Sequence, residues 1–102
     1  MVLSGPELIA YVPDDGLHIK VRYRDDQLVP PEDNEFDLAF VLDTETLNAL
    51  NDRRKVTTEA DAKAVALKNE SRILAAIDRW LRKYGPSYPR GGPRRIRAED
   101  LD

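Results

Sequence analysis

The stretch FDLAFVLDTETLNAL, residues 36–50, decides the fold. Apolar residues recur at every second position along 36–42, which is the pattern of a β-strand that buries one face. The predicted buried face carries Phe36, Leu38, Phe40 and Leu42. Asp43 follows directly and can accept hydrogen bonds from the first free amides of a helix over 44–51. The chain is therefore expected to pass from a buried strand straight into a helix that turns Leu47 and Leu50 inward.

Two shorter strand-like runs precede this stretch. They are ELIAYV at 7–12 and LHIKVRYR at 17–24, and the second alternates strictly between apolar and polar or basic residues. The sequence Pro-Asp-Asp-Gly at 13–16 supplies a fixed φ, two residues that favour turns and a glycine that tolerates positive φ. Together these features predict a β-hairpin. Residues 25–35 are predicted to form a loop, since the Pro-Pro pair within them cannot donate hydrogen bonds to a sheet.

Downstream, a capping pattern at Thr58 to Asp61 predicts the start of a long helix. The helix is expected to end at Tyr84, because Gly85 and a proline follow. Its apolar side recurs at three- and four-residue intervals and comprises Ala66, Ile73, Ile77, Trp80 or Leu81, and Tyr84. This pattern weakens over 68–71, where the helix could break. Residues 94–98 are predicted to add a short edge strand.

These elements predict an α+β fold in the order β-β-β-α-α-β. An antiparallel sheet of three or four strands would be covered on one face by two helices, because a sheet with one apolar face needs a cover. Residues 1–85 are expected to form a single domain. Residues 86–102 would follow as a basic C-terminal arm.

Composition excludes several classes of function. The chain has 102 residues, no cysteine and one histidine, so disulfides, thiolate nucleophiles and sites with two histidines are ruled out within one chain. The opening MVLSGPELIAYV has neither a basic start nor a long apolar run, which predicts a soluble, cytoplasmic protein. No glycine-rich phosphate loop, GxSxG or HExxH motif is present. We expect no enzyme activity and no cofactor.

Two groups of residues have the chemistry of a candidate site but are predicted to be ordinary surface residues. Asp33, Glu35 and Asp37 have the spacing that opens a calcium loop, but Leu38 stands where such a loop needs glycine. They are therefore predicted to be solvated acids, and no metal site is expected. His18 lies on the polar side of its predicted strand with no nucleophile near it in sequence, so it is predicted to be a surface histidine.

Charge is distributed unevenly along the chain. Residues 1–50 hold eleven acids and three bases, whereas residues 51–102 hold eight acids and thirteen bases. The run 82–97 contains six bases and no acid, and its candidate contact residues are Arg82, Lys83, Tyr88, Arg90, Arg94, Arg95 and Arg97. We expect this run, together with the sheet face that bears Lys20, Arg22 and Asp37, to contact a protein partner. Self-association to a homodimer is the simplest form, because the two halves of the chain have opposite charge.

Two alternatives to a protein partner remain open. Cations mixed with aromatic residues and glycines suit contacts to nucleic acid, although the net charge of −3 does not favour it. A small ligand could also bind between the sheet and the helices near Trp80.

The sequence also resembles a bacterial domain-of-unknown-function family, numbered fourteen-eighty-eight. The likeness rests on FVLDTETLNAL at 40–50 as a strand followed by a helix start, on NESRI at 69–73 with Arg-Lys-Tyr at 82–84, and on RIRAEDL at 95–101. It covers nearly all of residues 8–101, and the acidic Pro-Pro loop between the second and third strands departs from it. The resemblance implies a small α+β domain and no assigned chemistry.

Overall fold

A computed structural model describes residues 2–24, 35–85 and 93–101 of the chain. Four strands and three α-helices follow one another before a short closing 3₁₀ helix. They are β1 (Val2–Val12), β2 (Gly16–Arg24), β3 (Glu35–Asp43), α1 (Thr44–Leu50), α2 (Glu59–Lys68), α3 (Glu70–Tyr84), β4 (Arg94–Ile96) and the 3₁₀ helix (Ala98–Leu101). The predicted α+β class is confirmed. The predicted loop over 25–35 lies outside the described residues except for Glu35, which begins β3.

The four strands form one sheet in the order β1-β2-β3-β4. The pairs β1–β2 and β2–β3 are antiparallel, as the hairpin pattern predicts. β4 pairs with β3 in parallel, so the prediction of an entirely antiparallel sheet is wrong for this last strand. The reason is that all three helices lie between β3 and β4 in the chain. A helical crossover of this kind returns the chain to the end of the sheet from which β3 started.

The cover comprises three helices instead of the predicted two. The long predicted helix breaks at Asn69, within the range 68–71 where its apolar pattern weakens. The Asn69 amide nitrogen donates to the carbonyl oxygens of Val65 and Ala66, and its side-chain nitrogen also donates to Val65 O at 2.8 Å. This residue closes α2 and directly precedes α3.

The predicted helix ends are confirmed. The carboxylate of Asp43 accepts a hydrogen bond from the Thr46 amide at 2.8 Å and caps α1. The Thr58 hydroxyl accepts one from the Asp61 amide at 3.1 Å and caps α2. The amide of Gly85 donates to Leu81 O at 2.8 Å and ends α3. Each cap satisfies a backbone group that the helix itself leaves unpaired.

The core lies between the sheet and the helices. Its strand residues include Leu17, Ile19, Val21, Phe40 and Leu42, and its helix residues include Leu47, Ala66, Ile73, Ile77 and Leu81. Ile96 of β4 and Leu101 of the 3₁₀ helix are also buried in it. Tyr84 is the exception to the predicted apolar side of α3, because 44% of its surface is exposed.

The second face of the sheet carries charged side chains that pair across the strands. Lys20 Nζ of β2 lies 3.3 Å from Glu7 Oε2 of β1, and Arg22 Nε lies 3.2 Å from Asp37 Oδ1 of β3. These cross-strand pairs follow from the alternation predicted for residues 17–24, which places charged side chains opposite the core. Among the described residues, no helix has the length and apolar character needed to cross a membrane.

Candidate binding cleft between the third helix and the last strand

The end of α3 and the strand β4 bring aromatic and basic side chains together. Trp80 meets Phe40 of β3 edge to face, with ring centroids 6.0 Å apart and planes at 90°. The Tyr84 ring lies one helical turn further on, 5.6 Å from the Trp80 ring. Arg94 of β4 places its guanidinium 4.6 Å from the centre of the Trp80 ring and 5.5 Å from that of Tyr84. The three aromatic rings therefore form one wall with a cation lying against it.

These side chains border a cleft of about 150 Å³. Its apolar lining comes from Phe40, Ala76, Ile77 and Ile96, together with the rings of Trp80 and Tyr84. Lys83, Arg94, Arg95 and Asp100 supply its charged lining. The cleft thus combines an apolar interior with a rim that carries more cations than acids.

Two of the predicted contact cations are held by acids of the chain itself. Arg82 Nε donates to Asp78 Oδ2 at 2.8 Å, and this hydrogen bond raises the pKa of Arg82 above its ordinary value. Arg95 Nη2 donates to Asp15 Oδ1 at 2.6 Å. Neither guanidinium is therefore available to a partner without loss of an internal ion pair.

Lys83 and Arg94 differ from these two residues. Among residues 2–24, 35–85 and 93–101, no carboxylate lies within ion-pair distance of either side chain, and both lie against aromatic rings. Lys83 Nζ is 5.2 Å from the centre of the Tyr84 ring. Arg97 is exposed, and its backbone amide donates to Asp100 Oδ2 at 2.9 Å. The two other predicted contact residues, Tyr88 and Arg90, lie outside the described residues.

A second charged cluster ties β4 to the rest of the fold. Asp15, in the turn between β1 and β2, contacts both Arg95 and His18, whose Nε2 is 2.8 Å from Asp15 Oδ2. Arg95 Nη1 also lies 3.9 Å from Asp43 Oδ2 at the start of α1. The hydrogen bond from Arg95 is the main cause that lowers the pKa of Asp15, and His18 adds to it against the opposing effect of burial.

Stability should depend on pH through this cluster. The Asp15 pKa is lower in the folded chain than in the unfolded chain, so the carboxylate stabilises the fold above the unfolded pKa of about 3.9. That contribution is lost as pH falls through the lower, folded value. We expect Arg95→Gln to return the Asp15 pKa towards its ordinary value, which NMR titration of the carboxyl carbon would measure. An unchanged Asp15 pKa in this variant would contradict the assignment.

The remaining candidates from the sequence form no site among the residues that the structure describes. His18 is half-buried on the polar face of β2, beside Asp15. Asp37 pairs with Arg22, Glu35 is exposed, and Asp33 lies outside the described residues. Within the part of the chain that the structure describes, no three His, Asp or Glu side chains come close enough to hold a metal ion.

The chain matches no protein-family model, no curated protein and no solved structure. The resemblance to family fourteen-eighty-eight stays a prediction. The geometry of the cleft is therefore the basis for a functional proposal.

Proposed function

We propose that the protein is a non-catalytic cytoplasmic module that binds another protein through the cleft between α3 and β4. One observation supports this most directly. Lys83 and Arg94 have no carboxylate partner among the described residues, and both lie against aromatic rings at the edge of an apolar cleft. Aromatic residues and arginine around an apolar pocket are the composition typical of the energetic centre of protein interfaces.

The nucleic-acid alternative for residues 82–97 receives less support. Arg82 and Arg95 are engaged by Asp78 and Asp15, which reduces the number of cations free to contact phosphates. The cleft of about 150 Å³ is also too small to enclose a nucleotide. The net charge of −3 adds no long-range attraction for a polyanion.

A second copy of the chain is the simplest protein partner. The cleft is basic on a chain whose net charge is −3, so an acidic surface of one copy is complementary to the cleft of another. The Arg95–Asp15 pair shows that part of this complementarity is satisfied within one chain. Light scattering over a range of salt concentrations should detect a dimer that weakens as salt rises. A monomer at every concentration and salt would exclude the self-association form.

The general proposal is tested by capture from a native lysate at low salt, with and without nuclease. The cleft variant carries Lys83→Gln and Arg94→Gln. Arg54→Gln is the matched control, because Arg54 is exposed, does not line the cleft, and forms hydrogen bonds through its backbone groups. We expect a protein that the native chain and the control retain after nuclease treatment and that the cleft variant loses.

Two results would contradict the proposal. Equal capture by the cleft variant would place the contact surface elsewhere on the molecule. Capture of nucleic acid that is lost on nuclease treatment would favour the alternative, in which residues 82–97 bind nucleic acid. Purified partner and protein would then be titrated with the same variants, since direct binding separates a true partner from an abundant bystander.

A further inference from the structure

We infer that the cleft between α3 and β4 recognises one aromatic side chain of a partner polypeptide together with a carboxylate on the same or the next residue. This inference rests on the proposed function and specifies its partner. It follows from the volume of the cleft, the nature of its walls and the charges at its rim.

The volume suits a single ring. A cavity of roughly 150 Å³ lined by apolar side chains binds one benzene molecule. The cleft here has about the same volume and is open to solvent on one side. It therefore has room for the side chain of one phenylalanine or tyrosine, but not for a nucleotide or for a helix laid along a groove.

The walls favour an aromatic occupant. Phe40 and Trp80 already pack edge to face, and Tyr84 is tilted by 44° against Trp80. Rings in such arrangements present both positive edges and negative faces. A further ring that packs against an edge or a face is stabilised by this electrostatic contact in addition to the burial of its surface. An aliphatic side chain would gain only from burial.

The rim supplies the partner for a carboxylate. Because the Arg94 guanidinium lies over the rings of Trp80 and Tyr84, its orientation is restricted before any ligand binds. A guanidinium held in this way keeps N–H groups that can donate to a carboxylate, in the bidentate geometry that arginine favours. Lys83, above the Tyr84 ring, adds a second positive charge at the same end of the cleft.

Two negative features near the cleft do not cancel these cations. The carboxylate of Asp100 accepts a hydrogen bond from the Arg97 amide, beside a side chain that is itself cationic. The C-terminal end of α3 carries about half an elementary negative charge from its backbone dipoles. Lys83 and Arg94 together exceed that half charge, so a carboxylate at the rim is attracted.

The experiment uses three small probes and the single tryptophan of the full-length chain. The probes are N-acetyl-phenylalanine, its uncharged amide, and N-acetyl-alanine, which keeps the carboxylate but lacks the ring. Trp80 gives the only indole N–H resonance in a two-dimensional NMR spectrum, which makes the cleft directly observable. We expect N-acetyl-phenylalanine to shift this resonance in a saturable manner, with a dissociation constant in the millimolar range that befits a ligand of this size.

Removal of the negative charge from the ligand, or of the positive charge of Arg94 from the protein, should weaken binding by about five- to tenfold. The amide probe tests the ligand side, and Arg94→Gln tests the protein side with Arg54→Gln as control. Equal binding of acid and amide would overturn the assigned role of the carboxylate. Equal binding of the alanine probe, or absence of a saturable shift with any probe, would overturn the assigned ring site. If the probes fail but capture still depends on Lys83 and Arg94, the proposed function stands and this inference alone is wrong.

Discussion

Gly16→Ala is expected to lower the free energy of unfolding by more than about 4 kcal/mol, which is a large part of the stability of a small domain. Gly16 has φ +140°, a backbone conformation that residues with a side chain rarely adopt. A Cβ atom there would press against the carbonyl oxygen of Leu42 and lie 2.7 Å from the Cα of Asp43. Both obstacles are backbone atoms of β3, so relief would require the pairing of β2 with β3 to shift.

Gly85→Ala separates steric conflict from backbone strain. Gly85 also has a positive φ, +82°, but a Cβ atom there would have nothing within 4 Å. Its replacement should cost only the strain, about 1–3 kcal/mol. Chemical denaturation followed by circular dichroism would measure both variants. Equal losses of stability would show that the approach of β3 to Gly16 is not the cause.

Gly16 also shows which features of the fold can be predicted from local sequence patterns and which cannot. The run at 13–16 predicts a hairpin turn from local chemistry alone, and the structure confirms it. The contact between Gly16 and the end of β3 involves residues more than 25 positions apart, so no local pattern reports it. Other local features were likewise open to prediction. The caps at Asp43 and Thr58 depend on hydrogen bonds within three residues and were predictable.

The parallel pairing of β4, in contrast, could not be predicted from local sequence. Its three residues carry too little pattern to fix a direction, and the direction follows from the helices that intervene between β3 and β4. β1 was predicted to start at Glu7 but starts at Val2, because pairing with the far end of β2 extends it. In each case the missing information is a partner distant in sequence.

The cleft was predictable in part. The basic run identified Lys83 and Arg94, and sequence analysis placed a ligand alternative near Trp80. Trp80 and Tyr84, four residues apart on one helix, were a signal that a single aromatic surface forms there. Phe40 and Ile96 could not be assigned to it, since they arrive from two strands. Nor could sequence separate Arg95, held by Asp15 across 80 residues, from Arg94, which lies against the aromatic rings.

Thr46→Val is expected to lower the free energy of unfolding by about 1–3 kcal/mol, although valine has nearly the same shape as threonine. Thr46 is completely buried at the start of α1. Its hydroxyl oxygen lies 2.7 Å from Asp43 Oδ1 and 3.1 Å from the carbonyl oxygen of Ile96 in β4. The hydroxyl has one hydrogen and donates it to one of these oxygens at a time. Valine fills the same space but removes this donor, and an unpaired polar group is costly away from water.

Thr46→Ser is the matched control, since serine keeps the hydroxyl and loses one methyl group at a cost of about 1 kcal/mol. Hydrogen exchange adds a local measurement. If the hydroxyl holds β4 against the first turn of α1, the amides of residues 94–96 should lose protection in Thr46→Val and keep it in Thr46→Ser. Loss of protection in both variants, or in neither, would mean that packing of Ile96, and not the hydroxyl, holds the last strand in place. Because β4 carries Arg94, the same measurement tests whether this buried hydroxyl also supports the rim of the cleft.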